Sequence, residues 1–137
     1  ATQVGDLVKA VLEPYLIRAD VIRIESMPPV PLNARQAMSL GMILHELATN
    51  ALKYGALSAE AGQVILNADL QNEESGTASL EMTWAEHGGP KHAAPDCIGF
   101  GTRLIQSAAE RDLSGHVELD FRPDGLHVSL GFPIGQP

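Results

Sequence analysis

Three polar residues of one predicted helix have the types and the spacing of a phosphate–metal site. Glu46, Asn50 and Lys53 lie four and then three residues apart, so at about 100° per residue they share one side of a helix. An amide oxygen can bind a hard cation such as Mg²⁺, an ammonium group neutralises phosphate, and a carboxylate orders water or accepts a proton. The same spacing also fits a helix face that is only solvated, so both interpretations stay open.

A further carboxylate ends a predicted strand over residues 78–86. Alternation places four side chains on one face, and the apolar ones make it the core face: Leu80, Met82, Trp84 and Glu86. A carboxylate there is costly unless it meets a donor, and the exocyclic amine of adenine would be one. The neighbouring Gly88 and Gly89 would let a flat base approach closely. Alternatively, Glu86 lies beyond the last pleat of the strand and points to water.

Two glycines precede another predicted helix. Gly99 and Gly101 flank Phe100, and backbone N–H groups at a helix N-terminus can bind phosphate. A Gly-x-Gly sequence taken alone is more often only a tight turn.

The elements that must position these residues follow from hydrophobic periodicity. Helices are predicted over residues 2–16, 34–54 and 100–113, and the long one has Asn33 as N-cap and Gly55 as C-terminal stop. Strands are predicted over 21–25, 64–70, 78–86, 117–121 and 126–132. The last four strands form two hairpins, and residues 87–99 form a loop. This order predicts an α/β (α+β) two-layer sandwich in which about three helices cover one face of a mixed, mostly antiparallel sheet.

Composition narrows the class of protein. The 137 residues carry a net charge of −8, with 45% hydrophobic and 19% charged residues, which predicts one globular domain over 1–137. The acidic balance argues against nucleic-acid binding. The single cysteine, Cys97, excludes an internal disulfide and suits a reducing compartment. Without an apolar run of about 18 residues or a signal peptide, we expect no membrane segment and a cytoplasmic location.

The histidines are interpreted as structural or solvated. His45 lies on another side of the long helix from Glu46, which suggests a structural or supporting role. His116 and His127 fall on the polar faces of their strands, and we expect both to be solvated. A metal pair of His87 and His92 is disfavoured, because no cysteine or carboxylate ligand pattern accompanies it.

The string from His45 to Ser58, HELATNALKYGALS, resembles the N-box of the HWE family of bacterial sensor histidine kinases. That family is named for a His in this box and a Trp-x-Glu further on, here His45 and Trp84-Ala85-Glu86. It belongs to the ATPases with the Bergerat nucleotide-binding fold, which gyrases share. The wider group has Asp-x-Gly-x-Gly where this chain, like the HWE subgroup, has Glu86-His87-Gly88-Gly89-Pro90. The Gly99-x-Gly101 segment resembles the second glycine box, and the resemblance covers nearly the whole chain.

The resemblance implies a catalytic domain that binds Mg²⁺-ATP. It implies transfer of the γ-phosphoryl group to a histidine on a separate dimerisation helix, and later to a response regulator. By position, Asn50 would hold Mg²⁺ and Glu46 would be the catalytic base or polariser. The nucleotide would contact Asn50 and seven further residues: Lys53, Tyr54, Glu86, Gly88, Gly99, Gly101 and Thr102.

Three alternatives belong to other classes of protein. The first is a degenerate Bergerat-fold module for phosphotransfer or docking that does not bind ATP, and intact Glu46 and Asn50 speak against it. The second is an anti-sigma-type serine kinase, against which the Trp84-x-Glu86 pair speaks. The third is an acidic interaction domain, supported by charge alone. Because the chain contains no helical hairpin with a phosphoacceptor histidine, we expect it to bind ATP but to autophosphorylate poorly or not at all.

Overall fold

The structure, a computed structural model, describes residues 2–18, 20–72, 76–90 and 100–134. Three helices and seven strands follow one another: β1 (Thr2–Gln3), α1 (Val4–Leu12), β2 (Ile22–Ser26), β3 (Pro31–Leu32), α2 (Ala34–Tyr54), β4 (Gln63–Asn72), β5 (Ala78–His87), α3 (Phe100–Ser107), β6 (His116–Arg122) and β7 (Gly125–Ile134). Short 3₁₀ turns follow α1 at Glu13–Tyr15 and α2 at Ala56–Ser58, and α3 continues as a π-helical turn over Ala108–Asp112.

Five strands form one mixed sheet in the order β2–β4–β5–β7–β6. Strands β2 and β4 run parallel, whereas β4–β5, β5–β7 and β6–β7 are antiparallel. In this register Val64 lies opposite Glu86, and Trp84 lies opposite Val128. The predicted mixed, mostly antiparallel sheet is therefore confirmed. Strands β1 and β3 form a separate two-stranded sheet, which sequence periodicity could not predict because each strand has two residues.

One face of the five-stranded sheet packs against the helices. Alternate residues of the central strands are buried on that face: Val64, Leu66, Ala68, Leu80, Met82, Trp84, Val128, Leu130 and Phe132. The helices bury apolar residues against them, among them Val8, Leu40, Ile43, Leu44, Leu47 and Ile105. The other face of the sheet, here called the outer face, carries exposed polar residues such as Thr83 and Ser129. The predicted two-layer sandwich is confirmed.

Helix α2 has its predicted bounds because both of its ends are fixed locally. Asn33 Oδ1 accepts a hydrogen bond from the Gln36 N–H at 2.8 Å, and Gln36 Oε1 accepts one from the Asn33 N–H at 3.0 Å. Gly55 ends the helix with φ −114°, which is outside the left-handed region. Its missing Cβ is needed for space instead, because a Cβ at Gly55 would overlap Oε1 of Glu86.

The first helix is shorter than predicted at both ends. It begins at Val4, because Thr2 and Gln3 pair with β3, and it ends at Leu12. Pro14 lacks an N–H and its ring obstructs the preceding turn, so the chain continues as a 3₁₀ turn. Among the described helices, none is long and apolar enough to cross a membrane.

Candidate functional site

A cavity of about 660 Å³, part of it open to solvent, lies where the C-terminal ends of α2 and β5 meet the β6–β7 hairpin. Its lining comes from all of these elements and from α3: Asn50, Tyr54, Gly55, Ala56, Glu86, Gly89, Pro90, Thr102, Leu119, Phe121, Arg122, Gly125 and Leu126. A concave site with apolar walls and a few polar groups is typical of small-molecule binding.

Glu86 is the buried carboxylate among the described residues that line this cavity, with 3% of its surface exposed. Its Oε2 accepts a hydrogen bond from the Trp84 indole N–H at 2.9 Å, and its Oε1 accepts one from the Ala56 N–H at 3.0 Å. The sequence left open whether Glu86 lies on the core face of the sheet or points to water. In the structure it lies on the core face. A carboxylate offers about four lone pairs, so each oxygen can accept a further hydrogen bond.

The protonation of Glu86 reflects this environment. Burial raises the pKa of the Glu86 carboxyl, because the charged form is desolvated. The hydrogen bonds from Trp84 and Ala56, and the nearby His127, oppose that rise in pKa. The effect of burial is the largest of these, so the net shift of the Glu86 pKa is upward.

Glycines lie against the carboxylate of Glu86, its backbone and the end of β5. A Cβ at Gly55 would overlap Oε1 of Glu86, and a Cβ at Gly125 would overlap its carbonyl oxygen. Gly125 also has φ +144°, a conformation that other residues rarely adopt. At Gly89 a Cβ would lie 2.9 Å from the Ala56 nitrogen. The end of β5 can pack this closely on α2 and on the β6–β7 turn only because these positions are glycines.

Helix α2 and the first turn of α3 meet beside the cavity. A Cβ on Gly101 would lie 2.8 Å from Oε2 of Glu46 and 3.7 Å from Nδ2 of Asn50. The structure thus brings two of the motifs singled out in the sequence into contact. Asn50 lines the cavity, and Glu46 lies one helical turn before it. A carboxylate, an amide and a helix N-terminus are therefore adjacent.

The other predicted site residues divide into two groups. Tyr54 and Thr102 line the cavity with Asn50 and Glu86; Tyr54 is 49% exposed and Thr102 is 9% exposed. Lys53 is exposed and lies outside the lining.

Gly88 also lies outside the lining. It has φ +76°, and a Cβ there would lie 2.6 Å from the Ala61 carbonyl oxygen, so the local backbone already requires a glycine. The neighbouring Gly89 lines the cavity instead. Gly99 and residues 91–98 of the predicted loop over 87–99 lie outside the described residues.

Sequence reasoning missed the part of the cavity that the β6–β7 hairpin supplies. Leu119, Phe121 and Leu126 provide apolar lining, and Phe121 pairs directly with Leu126. Their alternation predicted the hairpin, but no local signal showed which end of the sheet it would reach. Arg122 at the same turn is held by Asp120, with Nε and Oδ2 2.7 Å apart.

The predicted environments of two histidines agree with the structure, and that of a third does not. Nδ1 of His45 is hydrogen-bonded to the Tyr15 hydroxyl at 2.8 Å, which agrees with a structural role. His116 is solvated as predicted, with 68% of its side chain exposed. The prediction for His127 is wrong, because only 21% of its side chain is exposed. It packs edge-on against His87, with ring centroids 5.4 Å apart.

Comparison of sequences identifies histidine kinases as relatives. The chain is 39% identical over 140 residues to blue-light-activated histidine kinase 1 of Erythrobacter litoralis, covering all of this chain and 37% of that protein. It is 40% identical over 107 residues to a blue-light-activated histidine kinase of Brucella anthropi, covering 78% of this chain and 22% of that protein. The chain thus spans well under half of either relative. No protein-family model matches it.

Comparison of structures identifies the same fold. The Erythrobacter litoralis EL346 blue-light activated histidine kinase matches with a TM-score of 0.71 at 18% identity, over 96% of this chain and 40% of that one. The catalytic domain of histidine kinase ThkA matches with a TM-score of 0.64 at 15% identity, over 97% and 94% of the two chains. At such identities the likeness shows the fold, and the predicted fold class is confirmed. With the sequence relatives and the His45 and Trp84-x-Glu86 motifs, the chain belongs to the family of HWE-type sensor histidine kinases.

Proposed function

We propose that the cavity binds Mg²⁺-ATP, and that this domain transfers the γ-phosphoryl group to a histidine on a separate dimerisation helix. The kinase relatives support a role in signalling, and the finer assignment rests on one observation. A buried carboxylate, whose two oxygens each accept one hydrogen bond from the described residues and can accept another, lines the same cavity as Asn50, beside the N-terminus of α3. Together these groups can meet a donor-bearing base at one side and a metal–phosphate group at the other.

Glu86 is the proposed adenine contact. The Trp84 indole and the Ala56 N–H hold its two oxygens in place, so the carboxylate is preorganised before any ligand arrives. The exocyclic amine of adenine supplies a further donor to this buried acceptor. The glycine Gly89 leaves the cavity wall free of a side chain.

Asn50 and the start of α3 are the proposed metal and phosphate contacts. The Asn50 side-chain oxygen is a suitable ligand for Mg²⁺, which neutralises phosphate charge when it is bound. The N–H groups around Gly101 and Thr102 lie at the positive end of the α3 dipole and can donate to phosphate oxygens. We assign a supporting nucleotide contact to Tyr54, which lines the cavity. We assign such contacts to Lys53, Gly88 and Gly99 on the family resemblance alone.

Glu46 is the proposed catalytic carboxylate. It is half-buried, lies one turn before Asn50, and faces Gly101 of α3. At this place a carboxylate can polarise the attacking imidazole or accept its proton. The rest of the catalysis consists of positioning and charge stabilisation.

The proposed partners are the phosphoacceptor dimerisation helices and a response regulator. They are proposals because the chain spans 37% or less of its sequence relatives. Since both ATP and response regulators are cytoplasmic, the proposal places the domain in the cytoplasm. The alternative, a degenerate phosphotransfer or docking module that binds no ATP, keeps the fold but has no use for a buried acceptor in a cavity.

A comparison of ATP with inosine triphosphate tests the proposed adenine contact. Inosine carries a carbonyl oxygen where adenine has its amine, so an acceptor would face the Glu86 carboxylate. We expect inosine triphosphate to bind roughly 10–100-fold more weakly, which corresponds to about 1.4–2.8 kcal/mol. In Glu86→Gln, whose amide can donate, the preference for ATP should shrink. Equal affinities in the wild type would refute the role of Glu86, and no binding of either nucleotide would favour the degenerate module.

A further inference from the structure

Three side chains of metal-ligand type converge on the outer face of the sheet, behind the cavity. His87 ends β5, Asp124 lies in the β6–β7 turn, and His127 lies in β7. The antiparallel pairing places His127 opposite Ala85, so the turn reaches the end of β5. Nδ1 of His87 lies 3.3 Å from Oδ2 of Asp124, and Nε2 of His127 lies 3.5 Å from the same oxygen.

The spacing of these atoms matches a tetrahedral ion. With metal–ligand bonds of about 2.0–2.1 Å, two ligands of a tetrahedral Zn²⁺ are about 3.3–3.4 Å apart. Both distances to the Asp124 oxygen are close to that length. The three candidate ligand atoms all lie within 4.8 Å of one another.

A second observation concerns the hydrogen bonding of His127. Its Nε2 is buried and lies in ion-pair contact with Oδ2 of Asp124 at 3.5 Å, but it makes no hydrogen bond to any residue that the structure describes. A buried nitrogen of this kind calls for a water or an ion beside it. The edge-on contact of the two imidazoles, at an interplanar angle of 84°, orients the His127 ring without using that nitrogen.

The chemical types of the three side chains suit a transition-metal ion. Two imidazole nitrogens and one carboxylate form a ligand set that Zn²⁺ accepts with water in the fourth position, whereas Mg²⁺ and Ca²⁺ prefer oxygen.

We propose that His87, Asp124 and His127 bind one divalent transition-metal ion of the Zn²⁺ class. The ion ties the end of β5 to the β6–β7 turn. Glu86 and Leu126, the neighbours of the two histidines in sequence, line the cavity from the other face of the sheet. The proposed site is therefore separate from the cavity but braces its wall.

Titration with Zn²⁺ alone, in competition with a chromogenic chelator, tests the site in the 137-residue chain. We expect one ion per chain, with the affinity reduced at least about 10–100-fold in His87→Ala and in His127→Ala. The matched control is His116→Ala, because His116 also faces a carboxylate on the same face, Glu81 at 3.6 Å, but has no third ligand among the residues that the structure describes. This variant and Asn50→Ala should keep the wild-type affinity.

Two further measurements keep the proposal falsifiable if a histidine variant does not fold. Co²⁺ bound to the wild type should give the visible absorption of tetrahedral nitrogen–oxygen coordination. Zn²⁺ should shift the imidazole NMR signals of His87 and His127 but not those of His116. Absence of binding by the wild type, binding that both histidine variants retain, or binding that only Cys97→Ser removes would each overturn the proposal.

Discussion

Replacing Trp84 by Phe should expose the dependence of Glu86 on its indole donor. Trp84 is 2% exposed, and its N–H donates to Oε2 of Glu86 at 2.9 Å. Without the indole N–H, the buried Oε2 of Glu86 loses this hydrogen bond, which lowers the free energy of unfolding by about 1–3 kcal/mol. The side chain also loses about 40 Å³, which at about 24 cal/mol per Å³ adds about 1 kcal/mol. We therefore expect Trp84→Phe to lower the free energy of unfolding by about 2–4 kcal/mol.

A double-mutant cycle separates the hydrogen bond from the cavity. Glu86→Gln removes the charge, so Trp84→Phe should cost less in that background. Urea unfolding should give a coupling free energy of about 1–3 kcal/mol between the two substitutions. Glu81→Gln is the matched control on the same strand, because Glu81 lies on the outer face and should be additive with Trp84→Phe.

The pH dependence follows from the sign of the pKa shift. The folded-state pKa of Glu86 is raised by burial above its ordinary 4.5, so ionisation of Glu86 disfavours the folded state. The stability that protonation of Glu86 contributes is complete below 4.5 and is lost as pH rises through the folded-state pKa. Because the Trp84 hydrogen bond lowers this pKa, Trp84→Phe should cost less as pH falls from neutral toward 4.5. A cost that is independent of pH and additive with Glu86→Gln would refute the reasoning.

Two further predictions concern catalysis and packing. Glu46→Gln should leave Mg²⁺-ATP affinity unchanged but slow transfer to the phosphoacceptor histidine of the complete kinase by about 10²–10⁴-fold, measured with γ-labelled ATP. Loss of nucleotide binding in this variant would contradict the catalytic role. Stoichiometric labelling of the isolated 137-residue chain would contradict the need for a separate helix. Gly55→Ala should weaken ATP binding and cost about 1–3 kcal/mol in thermal unfolding, because its Cβ would overlap Oε1 of Glu86. Gly41→Ala in α2 is the control, since the nearest atoms to its Cβ would lie 3.7 Å away, an ordinary contact distance. We expect Gly55→Ala to destabilise the fold more than Gly41→Ala does, and equal costs in the two variants would contradict this prediction.

Features fixed by nearby residues could be predicted from the sequence. Each end of α2 is fixed by residues that are close to it in sequence, namely the capping pair Asn33 and Gln36 at the start and Gly55 at the end. The predicted bounds of α2 were therefore confirmed. Strand alternation likewise placed Trp84 and Glu86 on one face. Whether Glu86 was buried could not be predicted, because that depends on β4 extending far enough to pair Val64 with Glu86.

Features fixed by contacts between distant elements were missed. The cluster of His87, Asp124 and His127 exists only because β7 pairs with β5, so separate strand patterns made His127 look solvated. The cavity lining from Leu119 to Leu126 has the same origin. Both Gly88 and Gly89 were noted in the sequence, but the predicted nucleotide contacts included only Gly88, since only the observed backbone shows which of the two lines the cavity.

The central claim, a magnesium-dependent ATP site at Asn50, is tested most directly by calorimetric titration of ATP with and without Mg²⁺. The chain, Asn50→Ala and the control Asn67→Ala would be compared, since Asn67 alternates with the buried residues of β4 and lies on the outer face. We expect Mg²⁺-dependent binding in the chain and in the control, weakened at least about tenfold, or about 1.4 kcal/mol, in Asn50→Ala. An ATP affinity that depends neither on Mg²⁺ nor on the Asn50 side chain, or the absence of binding by the unaltered chain, would contradict the claim.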